Sequence, residues 1–145
     1  MKDILLINVS GQDKPGITSV VTGVLSRFDV TVLDIGQAVI HDQLNLGILA
    51  SVPQSDNSEA MIEEIQGNLQ VLDMRAQFSP ISDQRYQEWV EQQGKSRYIV
   101  TLLARKIDSG HLAAVTSVTS SFGLNIDKIV RLSGRIRLDE TDQLG

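Results

Sequence analysis

The first third of the chain changes its hydrophobic period at each turn. Ile4–Ser10 is apolar with only Asn8 inside it, the pattern of a buried strand. Gly11 to Gly16 (GQDKPG) is a turn by composition. From about Gly16 to Phe28 the apolar residues are Ile17, Val20, Val21, Val24, Leu25 and Phe28, one face of a 3.6-residue helix. Thr31–Ile40 is rich in β-branched residues and reads as a second strand. His41 to Gln43 is a turn, and Leu44–Val52 is a third strand, so these two form a hairpin. Pro53 to Asn57 is a loop. Ser58 is placed to cap a helix that buries Met61, Ile62, Ile65 and Leu69. Over Val71–Ser79, Leu72, Met74, Ala76 and Phe78 alternate with Asp73, Arg75 and Gln77, a strand wet on one face. The order βαββαβ in residues 1–80 predicts an α+β, ferredoxin-like sandwich with two helices over one face of a four-stranded sheet. The other sheet face is left over, and pairing with a second module is the expected cover.

The pattern then begins again. Sliding the sequence by 94 positions (Phe122 onto Phe28) brings Gly16 onto Gly110, Val21 onto Val115, Val24 onto Val118 and Ile35 onto Ile129. Between the copies, residues 81–94 carry Tyr86, Trp89 and Val90 at helical spacing. They predict a linker helix started near Ser82, stopped at Gly94 and docked by the single tryptophan. Tyr98–Arg105 is then expected as the first strand of copy two, Leu112–Phe122 as its helix and Asn125–Arg137 as its second strand. Residues 95–145 thus read as an incomplete βαβ second module with a loose acidic tail. Half a module leaves strand edges unpaired, so the expectation is a fragment of a longer protein, or completion of the sheet by a partner chain.

Composition narrows the chemistry. A formal charge of −5 argues against a nucleic-acid partner, which wants a basic face. With no cysteine there is no disulfide frame, thiolate metal site or cysteine nucleophile. No stretch approaches the roughly 20 apolar residues of a membrane span, and no leader pattern opens the chain, so a soluble cytoplasmic protein is expected. His41 and His111 have no metal-ligand partner at helical spacing. Arg131 and Arg135 suit solvated strand positions, or contacts to a further domain, better than a phosphate site.

Asp13-Lys14-Pro15-Gly16-Ile17, between a first strand and a helix, resembles the ACT domain, a ferredoxin-like regulatory unit that senses amino acids and is often paired. The segments VLDIGQA (32–38), LGIL (46–49), IVTLL (99–103), GLNID (123–127) and RLSGR (131–135) resemble the tandem ACT region of bacterial phosphoserine phosphatases. The resemblance implies a regulatory region binding L-serine or a similar amino acid and forming a homodimer. Its parent enzyme, a hydrolase of the haloacid dehalogenase superfamily, converts O-phospho-L-serine to L-serine and phosphate. That parent carries a DxDxT nucleophile motif in a separate phosphatase domain. No such motif occurs in this chain, so the stretch by itself is not expected to be an enzyme, and Mg is expected only for the phosphatase domain, with no cofactor here. The alternative is a stand-alone two-module regulator resembling the glycine cleavage transcriptional repressor.

An amino acid needs an acceptor for its ammonium and N–H donors for its carboxylate. The first turn of a helix supplies free N–H groups and a positive dipole end. The resemblance places the site at Asp13, Gly16 and Ile17, where Gly16 permits close approach and Asp13 accepts from the ammonium. A polar residue opening the second strand completes such sites, often from a partner module. Here that position is Thr31 in copy one and Asn125 in copy two, and a composite of Asp13 and Gly16 against Asn125 is the preferred geometry. Asp-x-Pro-Gly is also a common turn solution, in which Asp13 only stabilises the turn, and Asn125 also suits a strand entry.

Overall fold

The structure is a computed structural model that describes residues 2–53, 58–94 and 96–132. Four strands, β1 (Lys2–Gln12), β2 (Thr31–Ile40), β3 (Gln43–Pro53) and β4 (Arg75–Ile81), form one antiparallel sheet in the order β2-β3-β1-β4. Helices α1 (Ile17–Arg27) and α2 (Ser58–Val71) supply the second layer. The ferredoxin-like α+β fold read from the hydrophobic pattern is the one observed.

The core lies between sheet and helices. Ile7 and Val9 of β1 and Leu44, Leu46, Ile48, Ala50 and Val52 of β3 face Ile17, Val21, Val24 and Leu25 of α1 and Met61, Ile65 and Leu69 of α2. The period of two on the strands and of 3.6 on the helices gives both layers one apolar face, which is what lets them close on each other. Val20 is half-buried, while Phe28 and Ile62 pack against the core from its margin. Arg27 and Glu64 pair across the two helices at the surface, a contact of small worth in water.

Several boundaries differ from the reading of the sequence. β4 begins at Arg75, not Val71: α2 runs through Val71, and the chain turns at Asp73 with φ 57° before Met74 enters the core. The strand continues through Pro80, which an edge strand tolerates. Ser58 is the first residue inside α2 rather than its cap, and residues 54–57 of the expected loop lie outside the described residues. Helix α3 (Asp83–Gln92) forms as expected, with the Ser82 hydroxyl accepting from the Arg85 N–H. Tyr86 and Trp89 are half-buried, their ring centroids 6.0 Å apart, and α3 groups with the first compact unit, Met1–Lys95.

The second unit, Ser96–Gly145, holds α4 (Ser109–Ser121) and, among its described residues, no strand. The strand expected at Tyr98–Arg105 is therefore corrected, as is residues 125–132 of the one expected at Asn125–Arg137; residues 133–137 and the acidic tail lie outside the described residues. The topology of the first unit gives the reason. There β1 and β2 do not pair with each other; both pair with β3. Residues 98–105 and 125–132 are the counterparts of β1 and β2, and an equivalent of β3 is missing among the described residues. Strand-like sequence without a ladder partner forms no strand.

Candidate functional site

The β1–α1 turn is built by backbone more than by side chains. Asp13 N–H donates to the Asp42 carbonyl at 2.7 Å, which joins the turn to the β2–β3 hairpin. Lys14 Nζ donates to the Leu72 carbonyl at 2.5 Å, placing a cation at the C-terminal end of α2 where the helix dipole favours it. Gly16 takes φ 88° and ψ 0°, a left-handed conformation that a glycine adopts without steric cost. The Thr18 hydroxyl donates to Gln37 Oε1, tying the first turn of α1 to β2.

The start of α1 is open. The first intrahelical bond is Val20 N–H to the Gly16 carbonyl at 2.9 Å, so the N–H groups of Ile17, Thr18 and Ser19 precede the ladder. Among the described residues no side chain caps them, and no acidic residue stands in the first turn. A Cβ built on Gly16 would meet nothing within 4 Å. Copy two is closed at the same place. Asp108 accepts from His111 N–H at 3.0 Å, and His111 Nδ1 accepts from Asp108 N–H at 3.1 Å, a reciprocal capping box that fills the start of α4. The hydrogen bond from His111 N–H, with smaller help from the Gly110 N–H and the charge of Lys106, holds the Asp108 carboxyl below the ordinary carboxylate range. The shift of Asp108 by one position relative to Asp13 thus has a structural role.

Ile17 is 2% exposed, and its side chain belongs to the core; only its backbone N–H faces the site region. Thr31 is exposed and opposes Ser51, which in turn opposes Ile4, whereas Gln12 opposes Gln43 at the other end of the sheet. Eight residues of β1 separate those levels, about 26 Å at a strand rise of 3.3 Å. Within one module, Thr31 and the start of α1 lie at opposite ends. Asn125 is exposed in the second unit, in the segment after α4. Beside Asp13, the Asp42 carboxyl is held low by hydrogen bonds from Gln43 and His41. Among the described residues, no group of three or more His, Asp or Glu side chains could hold a metal ion, and no helix is long and apolar enough to cross a membrane.

The sheet face away from α1 and α2 carries two depressions that the hydrophobic pattern did not locate. One, about 380 Å³, lies between α3 and the sheet and is lined by Leu6, Leu49, Ile81, Tyr86 and Trp89, with Asp34 and Arg85 also in its wall. The other, about 330 Å³, is polar and lies beyond α3. The alternation of Asp73, Arg75 and Gln77 already marked this face as wet; which neighbours those residues meet depends on strand register.

Comparison with known proteins places this geometry in context. A family model described as the ACT domain matches residues 3–79. The chain is 32% identical over 137 residues to the phosphoserine phosphatase SerB2 of Mycobacterium tuberculosis. It is 29% identical over 130 residues to a phosphoserine phosphatase of Streptomyces coelicolor. Both alignments cover 89% of this chain but only 31% and 30% of those proteins, so the chain spans less than a third of the curated relatives it matches. Among solved structures, an unknown protein from Galdieria sulphuraria superposes with a TM-score of 0.59 over 85% of this chain and 66% of that one, at 14% identity, a likeness of fold alone.

Proposed function

Since the chain belongs to the ACT domain family and is related to the ACT regions of phosphoserine phosphatases, we propose that it is the sensing region of such an enzyme, binding a small amino acid such as L-serine and working as a homodimer in the cytoplasm. The observation that carries this reading is the uncapped start of α1, where three N–H groups precede the helical ladder and Gly16 leaves the approach clear. A ligand carboxylate accepts from those N–H groups, helped by the helix dipole, and Asp13 accepts from the ammonium. The closed start of α4 supports assigning the role to copy one. For the whole protein, the activity proposed is hydrolysis of O-phospho-L-serine.

The same geometry supports a paired arrangement of modules, which the homodimer would supply. Thr31 cannot reach the start of its own α1, so a β2 residue completes the site only from another module. Ligand binding then favours one packing of modules over another, and that difference in affinity is what a regulatory region transmits.

Calorimetric titration of the chain with L-serine tests the site. Saturable heat is expected, with Asp13→Ala binding at least tenfold more weakly. Gly16→Val should abolish binding, but it also strains a left-handed residue, so Asp13→Ala decides. Absence of heat at millimolar serine, from protein verified as folded and dimeric, would count against the reading.

A further inference from the structure

Strand register assembles a polar patch on the sheet face opposite α1. Gly47 of β3 opposes Asn8 of β1, and Asn8 opposes Gln77 of β4. One level on, Asn45 opposes Ser10, and Ser10 opposes Arg75. These two cross-strand rows line the cavity of about 330 Å³, at the lower end of the range for small-molecule sites. Among the described residues, no carboxylate lines it and Arg75 is its cation, in a chain whose formal charge is −5. Asn8, Ser10, Asn45, Arg75 and Gln77 are exposed at the rim of this open depression, and among the described residues their side chains make no hydrogen bond or ion pair within the protein, so they stand free to meet a ligand.

We propose that this cavity is an oxyanion site that takes a phosphoryl group, as inorganic phosphate or a small phosphate monoester. The donor inventory selects the ligand. A guanidinium fork, three carboxamide NH2 groups and one hydroxyl offer more N–H and O–H donors than the two oxygens of a carboxylate can accept. A phosphoryl group presents three terminal oxygens. A cation would meet the charge of Arg75, and an apolar ligand would displace water from the carboxamides without replacing its hydrogen bonds. Gly47 supplies the floor: a Cβ there would stand 3.6 Å from Asn8 Oδ1, inside the space the ligand fills. The site is independent of the start of α1, which lies on the helix-covered side.

The test is titration of the full chain with inorganic phosphate at constant ionic strength, followed by ¹H–¹⁵N spectra. Saturable shifts are expected at the side-chain amides of Asn8, Asn45 and Gln77 and at the Gly47 amide. Arg75→Gln, at an exposed position, should weaken binding at least tenfold with spectral dispersion intact. Gly47→Val should weaken it without changing charge. Asp13→Ala should leave it unchanged, which separates this site from the serine site. Acetate should bind at least tenfold more weakly than phosphate; equal affinity would overturn the phosphoryl assignment. Shifts reproduced by sodium chloride, or a full response retained in Arg75→Gln, would overturn the site itself.

Discussion

Gly16 and Gly67 sit at the start of one core helix and inside the other, and alanine should act on them in opposite directions. Gly67 is an exposed interior residue of α2, and a Cβ there meets nothing within 4 Å. Gly67→Ala removes backbone freedom from the unfolded chain and should stabilise by about 0.5–1 kcal/mol. Gly16 also has open space around it, but its φ of 88° puts a Cβ against its own backbone, so Gly16→Ala should destabilise by about 1–2 kcal/mol. Urea midpoints of the two variants read the signs directly; the same sign for both would refute the strain assigned to Gly16. Residue roles were unevenly legible in the sequence. The helical period identifies Ile17 as a core residue, and the core is where its side chain lies, so the proposal that it contacts a ligand rests on its N–H alone. Asn8 stood out only as a break in an apolar run. Its neighbours Gly47 and Gln77 come from distant parts of the sequence, and their pairing depends on a register that no local pattern states.

Helix ends were legible where the capping side chain is local. Ser82 caps α3 through the Arg85 N–H three residues on, a spacing visible in the sequence. The same logic does not place Ser58, which α2 already includes, and the alternation from Leu72 to Phe78 does not mark where β4 begins, because it is indifferent to the turn at Asp73. The capping box of α4 carries a pH consequence. The Asp108 carboxyl is depressed chiefly by the bond from His111 N–H, so its ionised form is favoured in the folded state. A depressed carboxyl contributes stability that is fully present above its unfolded value near 3.8 and is lost as pH falls through the lower folded value. Acidification below the ordinary carboxylate range should therefore release the His111 amide and fray the first turn of α4. Asp108→Ala should produce the same fraying at neutral pH. Amide exchange at His111 measures both, and an exchange rate indifferent to pH after correction for intrinsic exchange would contradict the cap.

At the scale of the whole molecule, the two units differ in how they bury apolar surface. Among the described residues, the fully buried large side chains all belong to residues 7–69, within the first unit. The second unit leaves Ile99 at 95%, Leu103 at 85% and Leu132 at 81% exposure, with Tyr98 and Ile129 also open. These residues fall in the counterparts of β1 and β2, so the same stretches leave both backbone ladder groups and apolar side chains without partners. Burying these side chains also buries their backbone, and each backbone group buried without a partner costs about 1–3 kcal/mol, so joining a sheet edge of a second copy is the way to cover the apolar surface without that cost. The full chain should therefore associate in a concentration-dependent way, and Leu103→Lys should weaken association by placing a charge on the stretch. Residues 1–95 carry the complete core and should fold alone, and without residues 98–132 they should lose the association driven by that surface. Sedimentation velocity of the full chain, Leu103→Lys and residues 1–95 distinguishes these outcomes. Association of residues 1–95 as strong as that of the full chain would move the interface to the first unit. A full chain that stays monomeric, with protected amides from residue 98 to 132, would show that this surface is satisfied within one molecule.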